Sequence, residues 1–388
     1  MIMLRGIAWD HPRGVDPLRA AARNPVASGA ACVGVTWDVR TLQEFEDAPL
    51  EQLSRNYDLI AVDHPLIADS CDHRPALWDL ADLVSDAVLH DARSGSVGPS
   101  FRSYQWQGHQ YALPIDAAAQ VAAHRPDLVA TPPTTWAQLR QVITQLPAGR
   151  HIAIAGSPTH LYLSWLSLCH QYASGPSRPA GGTDHRWWGE DGPRREVGEQ
   201  ALTAIYSLLD ICDSDSLALN PIGLLDRMAT GDEIAYAPLV FGYANYGRVA
   251  AGRHRLAFCD PPSPTGIPSG TVLGGVGIAV SVHSRHPHAA ARVVERLVSG
   301  AYQRTRYAAD GGQPAHADAW RDPAVNGASN GFFTSTRTTL DRSFLRPRCV
   351  GYPAFQTAAG ALLHDAAMRR RPVAQVVAEI SGVWRDLC

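Results

Sequence analysis

No lysine occurs in the 388 residues; all 34 basic side chains are arginine. Schiff-base, P-loop-lysine and kinase-lysine chemistry each need an ε-amino group, so all three are excluded together. Charge of either sign is scarce at 18%, and the formal net charge is only -3. That balance gives no electrostatic footprint for a dedicated nucleic-acid binder. The seven cysteines (Cys32, Cys71, Cys169, Cys212, Cys259, Cys349 and Cys388) are odd in number, scattered and without a CxxC pair. Their spacing points to neither a zinc site nor a disulfide framework, and they read mostly as small buried hydrophobes. G-x-S-x-G, H-E-x-x-H and P-loop patterns are missing as well. Neither a metal nor a cofactor is therefore expected. No run approaches the about 18 uninterrupted apolar residues of a membrane span. The opening Met1-Ile2-Met3-Leu4-Arg5-Gly6 lacks a basic region, an apolar core and a small-residue cleavage site. As written, the chain is expected to be soluble and cytoplasmic, or extracytoplasmic if a leader precedes it.

What is present is a globular composition, 45% apolar. The length suits two lobes of roughly 150 to 200 residues each. Three near-continuous apolar runs, Leu4 to Trp9, Ala31 to Trp37 and Tyr57 to Val62, alternate with helix-like segments, which points to βαβ units. Asp16 followed by Pro17 predicts a helix start between the first two runs. Open α/β sheets bind ligands beyond the carboxyl ends of their strands. Trp9, Asp10, His11, Asp38, Asp63 and His64 thus become candidates for one wall of a site. Trp9-Asp10-His11 could offer a stacking face and a carboxylate for hydroxyl groups; it could equally be a capping turn with Trp9 in the core. Asp38 could equally cap a helix after its strand. His beside carboxylate is also the usual general-base arrangement. A cytoplasmic enzyme using the Asp10/His11 and Asp63/His64 pairs therefore stays open as the alternative to simple binding.

Ser103 to Asp116 reads as a polar loop and then a short extended run, in which Pro114 disfavours a central strand and suits a crossover. Asp116 would end that run at the junction. Thr135 to Gln138 has the form of a capping box ahead of a helix. His151 to Ala155 predicts a strand, followed by a helix carrying His160. The Gly/Pro-rich residues 173–198 predict a surface loop, and 201–209 a helix. Ile234 to Val240 predicts a strand that leads to Phe241, Tyr243 and Tyr246, three aromatic faces for a ligand. The four prolines between Asp260 and Gly270 predict a stiff second crossing. Gly274 and Gly275 open another strand and would let backbone approach a ligand or hinge. Arg337 and Tyr352 complete the candidates, and a Pro372-started amphipathic helix closes the chain.

The segments YDLIAVD (57–63), the aromatic-Gly-Tyr-ALPID crossover (106–116), DL…PPTTW (127–136), MATGDEIAY…PLVFGY (228–243), LGGVGIAV (273–280), Q…Y…GGQP (303–314) and a last amphipathic helix follow one another in a distinctive order. In that order the chain resembles the family 1 extracellular solute-binding proteins of ABC importers, the group that includes maltose-binding protein. The resemblance implies a two-lobed α/β fold of the periplasmic-binding-protein type II class. Each lobe would be a mostly parallel sheet flanked by helices, joined to the other by crossover strands. Mapped here, one lobe takes 1–115 and 262–312, the other 116–261 and 313–388. The resemblance further implies reversible binding of a small polar, sugar-like or otherwise hydroxylated solute in an interlobe cleft, with hinge closure. Its implied partners are that solute and an ABC transporter's membrane subunits, and the chain itself would be a monomer.

Overall fold

The computed structural model describes residues 1–29, 31–173 and 187–388. The chain separates into two compact α/β units. The first comprises Met1–Ala118, Gly274–Val325 and Arg348–Pro353, the second Ala119–Leu273, Asn326–Pro347 and Ala354–Cys388.

In the first unit the strands are β1 (Ile2–Trp9), β2 (Val26–Ser28), β3 (Ala31–Arg40) and β4 (Leu59–Val62). A small hairpin of β5 (Gln105–Trp106) and β6 (His109–Gln110) precedes β7 (Leu113–His124). The boundary between the units falls inside β7, after Ala118. In the second unit β8 (His151–Ile152) is followed by the hairpin of β9 (Trp188–Gly189) and β10 (Gly192–Pro193). Then come β11 (Ile234–Phe241) and β12 (Ala257–Cys259), and β13 (Leu273–Val280) returns the chain to the first unit.

The sheet of the first unit runs β2-β3-β1-β4-β13, with the first half of β7 beside β13. β1 is parallel to both β3 and β4, and its register sets Trp9 against Arg40 and Ile7 against Asp38. Parallel strands end on the same side, so the residues after β1, β3 and β4 come together by construction. Leu4, Trp9, Leu18, Trp37, Phe45, Ile278 and Leu297 belong to one apolar core of this unit, and Ile7, Ile60, Val62, Leu66 and Tyr104 to another. Burial on both faces is why these strands read as apolar runs. In the second unit β11 pairs antiparallel with β7 and parallel with β8, and β12 pairs antiparallel with β7. Gln120 on β7 is buried and bonds to Ser164 Oγ at 2.9 Å, while Ser167 Oγ donates to its Oε1 at 2.6 Å. That network pins the helix Pro158–Ala173 to the strand with its polar groups satisfied.

Several expectations are corrected. The first helix starts at Pro12, not at Pro17, because His11 caps it and Pro12 takes the first-turn position. Pro17 lies inside that helix, where it supplies no N–H to the helical ladder. β3 runs on to Arg40, so Asp38 stands within the strand and not after it. Asp116 is likewise inside a twelve-residue strand, every residue of which is buried. Of the expected loop at 173–198, residues 174–186 lie outside the described residues. The remainder forms the β9–β10 hairpin and the start of the helix Arg195–Leu209. The strand expected at 151–155 is confined to His151–Ile152. Cys349 and Cys388 are each disulfide-bonded, which the scattered spacing did not indicate. Cys32, Cys71, Cys169, Cys212 and Cys259 are free thiols. Among the described residues no helix is long and apolar enough to cross a membrane.

Asp116 is held by a fork of hydrogen bonds from Arg13, Nε to Oδ2 at 2.8 Å and a terminal nitrogen to Oδ1 at 2.5 Å. Both side chains are almost wholly shielded from solvent. Leaving either charge buried alone costs about 3–5 kcal/mol, whereas removing both together is far cheaper. Arg13→Met should therefore lower unfolding stability by that amount in urea titrations, and Arg13→Met with Asp116→Leu should recover most of it. Additive losses would contradict the pairing.

Candidate functional site

The ends of β1, β3 and β4 present the densest group of polar candidates. Asp10 follows β1, is exposed, and donates its backbone N–H to the carbonyl of Arg40 at 2.7 Å. His11 is the N-cap of the helix Pro12–Ala22, its Nδ1 accepting from the Arg13 N–H at 3.1 Å. Burial, reinforced by the nearby Arg13 charge, pushes its pKa down to about 4. Trp9 lies in the core: its ring is parallel to that of His11, 9° apart with centroids at 6.4 Å, and 5.2 Å from Phe45. A Cβ on Gly14 would come within 2.5 Å of the indole, so this glycine allows the helix to sit directly on Trp9.

Asp63 and His64 follow β4 and are both buried. The His64 backbone N–H donates to Asp63 Oδ1 at 2.9 Å, and the His64 ring lies edge-on to Tyr104. Asp47, half-buried nearby, is pushed above the usual carboxylate range by burial and then by the Asp63 charge. Asp38 instead stands on the exposed sheet face, where Arg5 bonds to it at 2.9 Å. The oxygens of Asp116 are engaged by Arg13, and burial pushes its carboxyl up against the pull of that guanidinium. Gly275 adopts a φ of +131°, and a Cβ there would fall 2.4 Å from the Asp116 carbonyl. The glycine thus allows close approach between β13 and β7. Gly274 beside it is half-buried, and Tyr352 is completely buried.

The second unit carries its own group. His160, in the first turn of the helix Pro158–Ala173, lies 3.2 Å through Nδ1 from Ser157 Oγ and edge-on to Phe241 at 6.3 Å. Burial and then the charge of Arg346 push its pKa down to about 3. Phe241, at the end of β11, is half-exposed, whereas Tyr243 and Tyr246 are buried and packed edge-to-face. The Tyr246 hydroxyl donates to Asp226 at 3.1 Å, and burial raises its pKa strongly. Arg337 bonds to Asp341 at 2.6 Å along its own helix.

The structure thus gathers Trp9, Asp10, His11, Asp63 and His64 around neighbouring strand ends, and His160 with Phe241 in the other unit. It draws Asp38 and Arg337 into ion pairs of their own. Sequence reasoning missed two buried arginines. Arg40 donates to the carbonyls of Ala61 at 2.9 Å and Glu44 at 3.2 Å and stacks over Phe45 at 5.4 Å. Arg346 donates to Gln356 at 3.1 Å. Arginine is mostly a surface residue, and neither position carries a motif that could have exposed it. As to chemistry, His11 and His160 are both held neutral well below pH 7 and one nitrogen of His11 is occupied by a cap, which suits hydrogen bonding better than general-base work. Among the described residues no cluster of three or more metal-ligating side chains could hold a metal ion.

The model of the family described as bacterial extracellular solute-binding proteins matches residues 56–331, more than two thirds of the chain. The chain belongs to this family. Solved structures bear out the fold. Maltose-bound MalE3 of Thermotoga maritima superposes with a TM-score of 0.79 at 15% identity, covering 100% of both chains. A solute-binding protein from Agrobacterium radiobacter K84 in complex with ribitol gives 0.78 at 18%, covering 100% of this chain and 99% of its own. A third from Thermotoga lettingae, bound with α-D-tagatose, gives 0.79 at 13%, with 100% of both chains covered. Identities this low speak for a shared α/β solute-binding-protein fold.

The histidines of this solute-binding protein yield a pH prediction. A histidine whose folded pKa is depressed destabilises the fold as pH falls from its unfolded value near 6.5 toward the folded one. His160 therefore erodes stability between about 6.5 and about 3, by up to about 1.4 kcal/mol per pH unit. Urea unfolding of His160→Gln between pH 4 and 6 should show a slope shallower than wild type by about one proton. An unchanged slope would contradict a buried neutral His160.

Proposed function

We propose that this solute-binding protein captures a small, neutral, hydroxylated solute, a sugar or polyol, and delivers it to the membrane subunits of an ABC importer. The observation that carries the reading is the gathering of Asp10, Asp63 and His64 at adjacent ends of parallel strands, in a chain whose family binds solutes. Carboxylates accept hydrogen bonds from vicinal hydroxyls. Maltose, ribitol and tagatose, bound by three proteins of the same fold, fall within this chemical class. Residence outside the cytoplasm accords with the family description.

Thermal unfolding with maltose, ribitol and tagatose tests the proposal. A solute present at one hundred times its Kd adds about 2.7 kcal/mol to stability, so at least one of the three should raise the melting temperature by several degrees. It should be recovered chemically unchanged, and Asp63→Asn should weaken it by tenfold or more. No shift with any of them, or a shift indifferent to Asp63→Asn, would overturn the reading. Consumption of the solute would favour the enzymatic alternative instead.

A further inference from the structure

Arg40 ends β3 in the register position beside Trp9, and it touches each of the strand ends that carry the candidate contacts. Its backbone carbonyl accepts from the Asp10 N–H at 2.7 Å, which fixes the turn after β1. Its guanidinium donates to the carbonyl of Ala61, two residues before Asp63, at 2.9 Å, and to that of Glu44 at 3.2 Å. The guanidinium also covers Phe45, which packs on Trp9. Arg40 is itself 6% exposed. Burying a guanidinium this deeply is costly. Two main-chain carbonyls hold it, and its Nε is buried with no hydrogen-bond partner. The charge is therefore not cancelled by a direct ion pair, and it acts on the carboxylates around it. Glu44 and Asp63 are the carboxylates that pull against its desolvation, which holds Arg40 down at about 10. Charged or titratable neighbours of Asp63 include His64, 3.4 Å away through Nδ1, and Asp47, whose charge opposes it.

We propose that Arg40 is a positioning residue for the solute site of the first unit: it fixes the strand end that presents Asp63 and supplies the positive charge that this carboxylate faces. The proposal rests on Asp10 and Asp63 being solute contacts, as inferred above. A carboxylate balanced from behind by a fixed cation can accept hydroxyl hydrogen bonds without demanding positive charge from the solute, which suits a neutral sugar or polyol.

Two substitutions separate the charge from the ties. Arg40→Gln removes the charge and keeps part of the hydrogen bonding; Arg40→Lys keeps the charge but not the planar fork that reaches both carbonyls. The first readout is the Asp63 carboxyl carbon, followed by 13C NMR against pH without any solute. Its titration midpoint should rise by about one unit in Arg40→Gln, the scale of losing a nearby opposite charge, and return close to wild type in Arg40→Lys. A purely structural arginine would not produce that rescue, and identical titration in all three proteins would overturn the proposal. The second readout is calorimetric titration with maltose, ribitol and tagatose. Both variants should bind about tenfold more weakly, the scale of one lost charge-assisted tie, and wild-type affinity in both would overturn the positioning role. If Arg40→Gln does not fold, Arg40→Lys still decides that role. If the wild type binds none of the three probes, the sugar reading fails and takes the positioning role with it, while the Asp63 titration still decides whether Arg40 supplies the charge.

Discussion

Parallel pairing of β1 with β3 and β4 is the constraint on which the functional reading depends. Strands that run the same way must end on the same side, and whatever follows them is delivered to one place. Here that is Asp10 after β1, Arg40 at the end of β3 and Asp63-His64 after β4. Apolar contacts on both faces of the sheet hold the strands in register, so the polar ends are set by packing some distance from them. A slip of one residue would turn Asp63 from its present surroundings toward the opposite face.

Arginine without lysine gives this chain its characteristic interior chemistry. Arg13, Arg40, Arg125 and Arg346 are all buried, and each is engaged by carboxylates, carbonyls or amides. A planar guanidinium can satisfy several acceptors while remaining charged, which an ammonium does less well. Arg13 locks the first half of β7 to the helix Pro12–Ala22 through Asp116, and Arg125 bridges Asp127 and Asp232 in the second unit. Carboxylates that appear available in the sequence therefore divide into those answered by an arginine and those, such as Asp10, that remain exposed at a strand end.

This division was the part least legible in the sequence. The apolar runs, the capping box at Thr135, the strand through Ile234–Phe241 and the closing helix follow from local periodicity and turn chemistry, and the structure contains them. The order of short motifs was enough to indicate the family. Boundaries depended on contacts made far along the chain. Pro17 looks like a helix start, yet His11 and Pro12 supply a cap one turn earlier. Asp38 looks like a strand end, yet β3 continues because β1 pairs with it through Arg40. Arg13 and Asp116 are 103 positions apart, and no local pattern couples them. Arg40 and Arg346 carried no signal because burial of an arginine is decided by its acceptors, which come from other segments.

Hydrogen exchange with and without whichever of maltose, ribitol and tagatose stabilises the protein tests the central claim most directly. The account predicts slowed exchange of the amides of Asp10 and His11 and of Asp63, His64 and Leu66, at the ends of β1 and β4. Slowed exchange confined to other segments, with these amides unchanged, would contradict it.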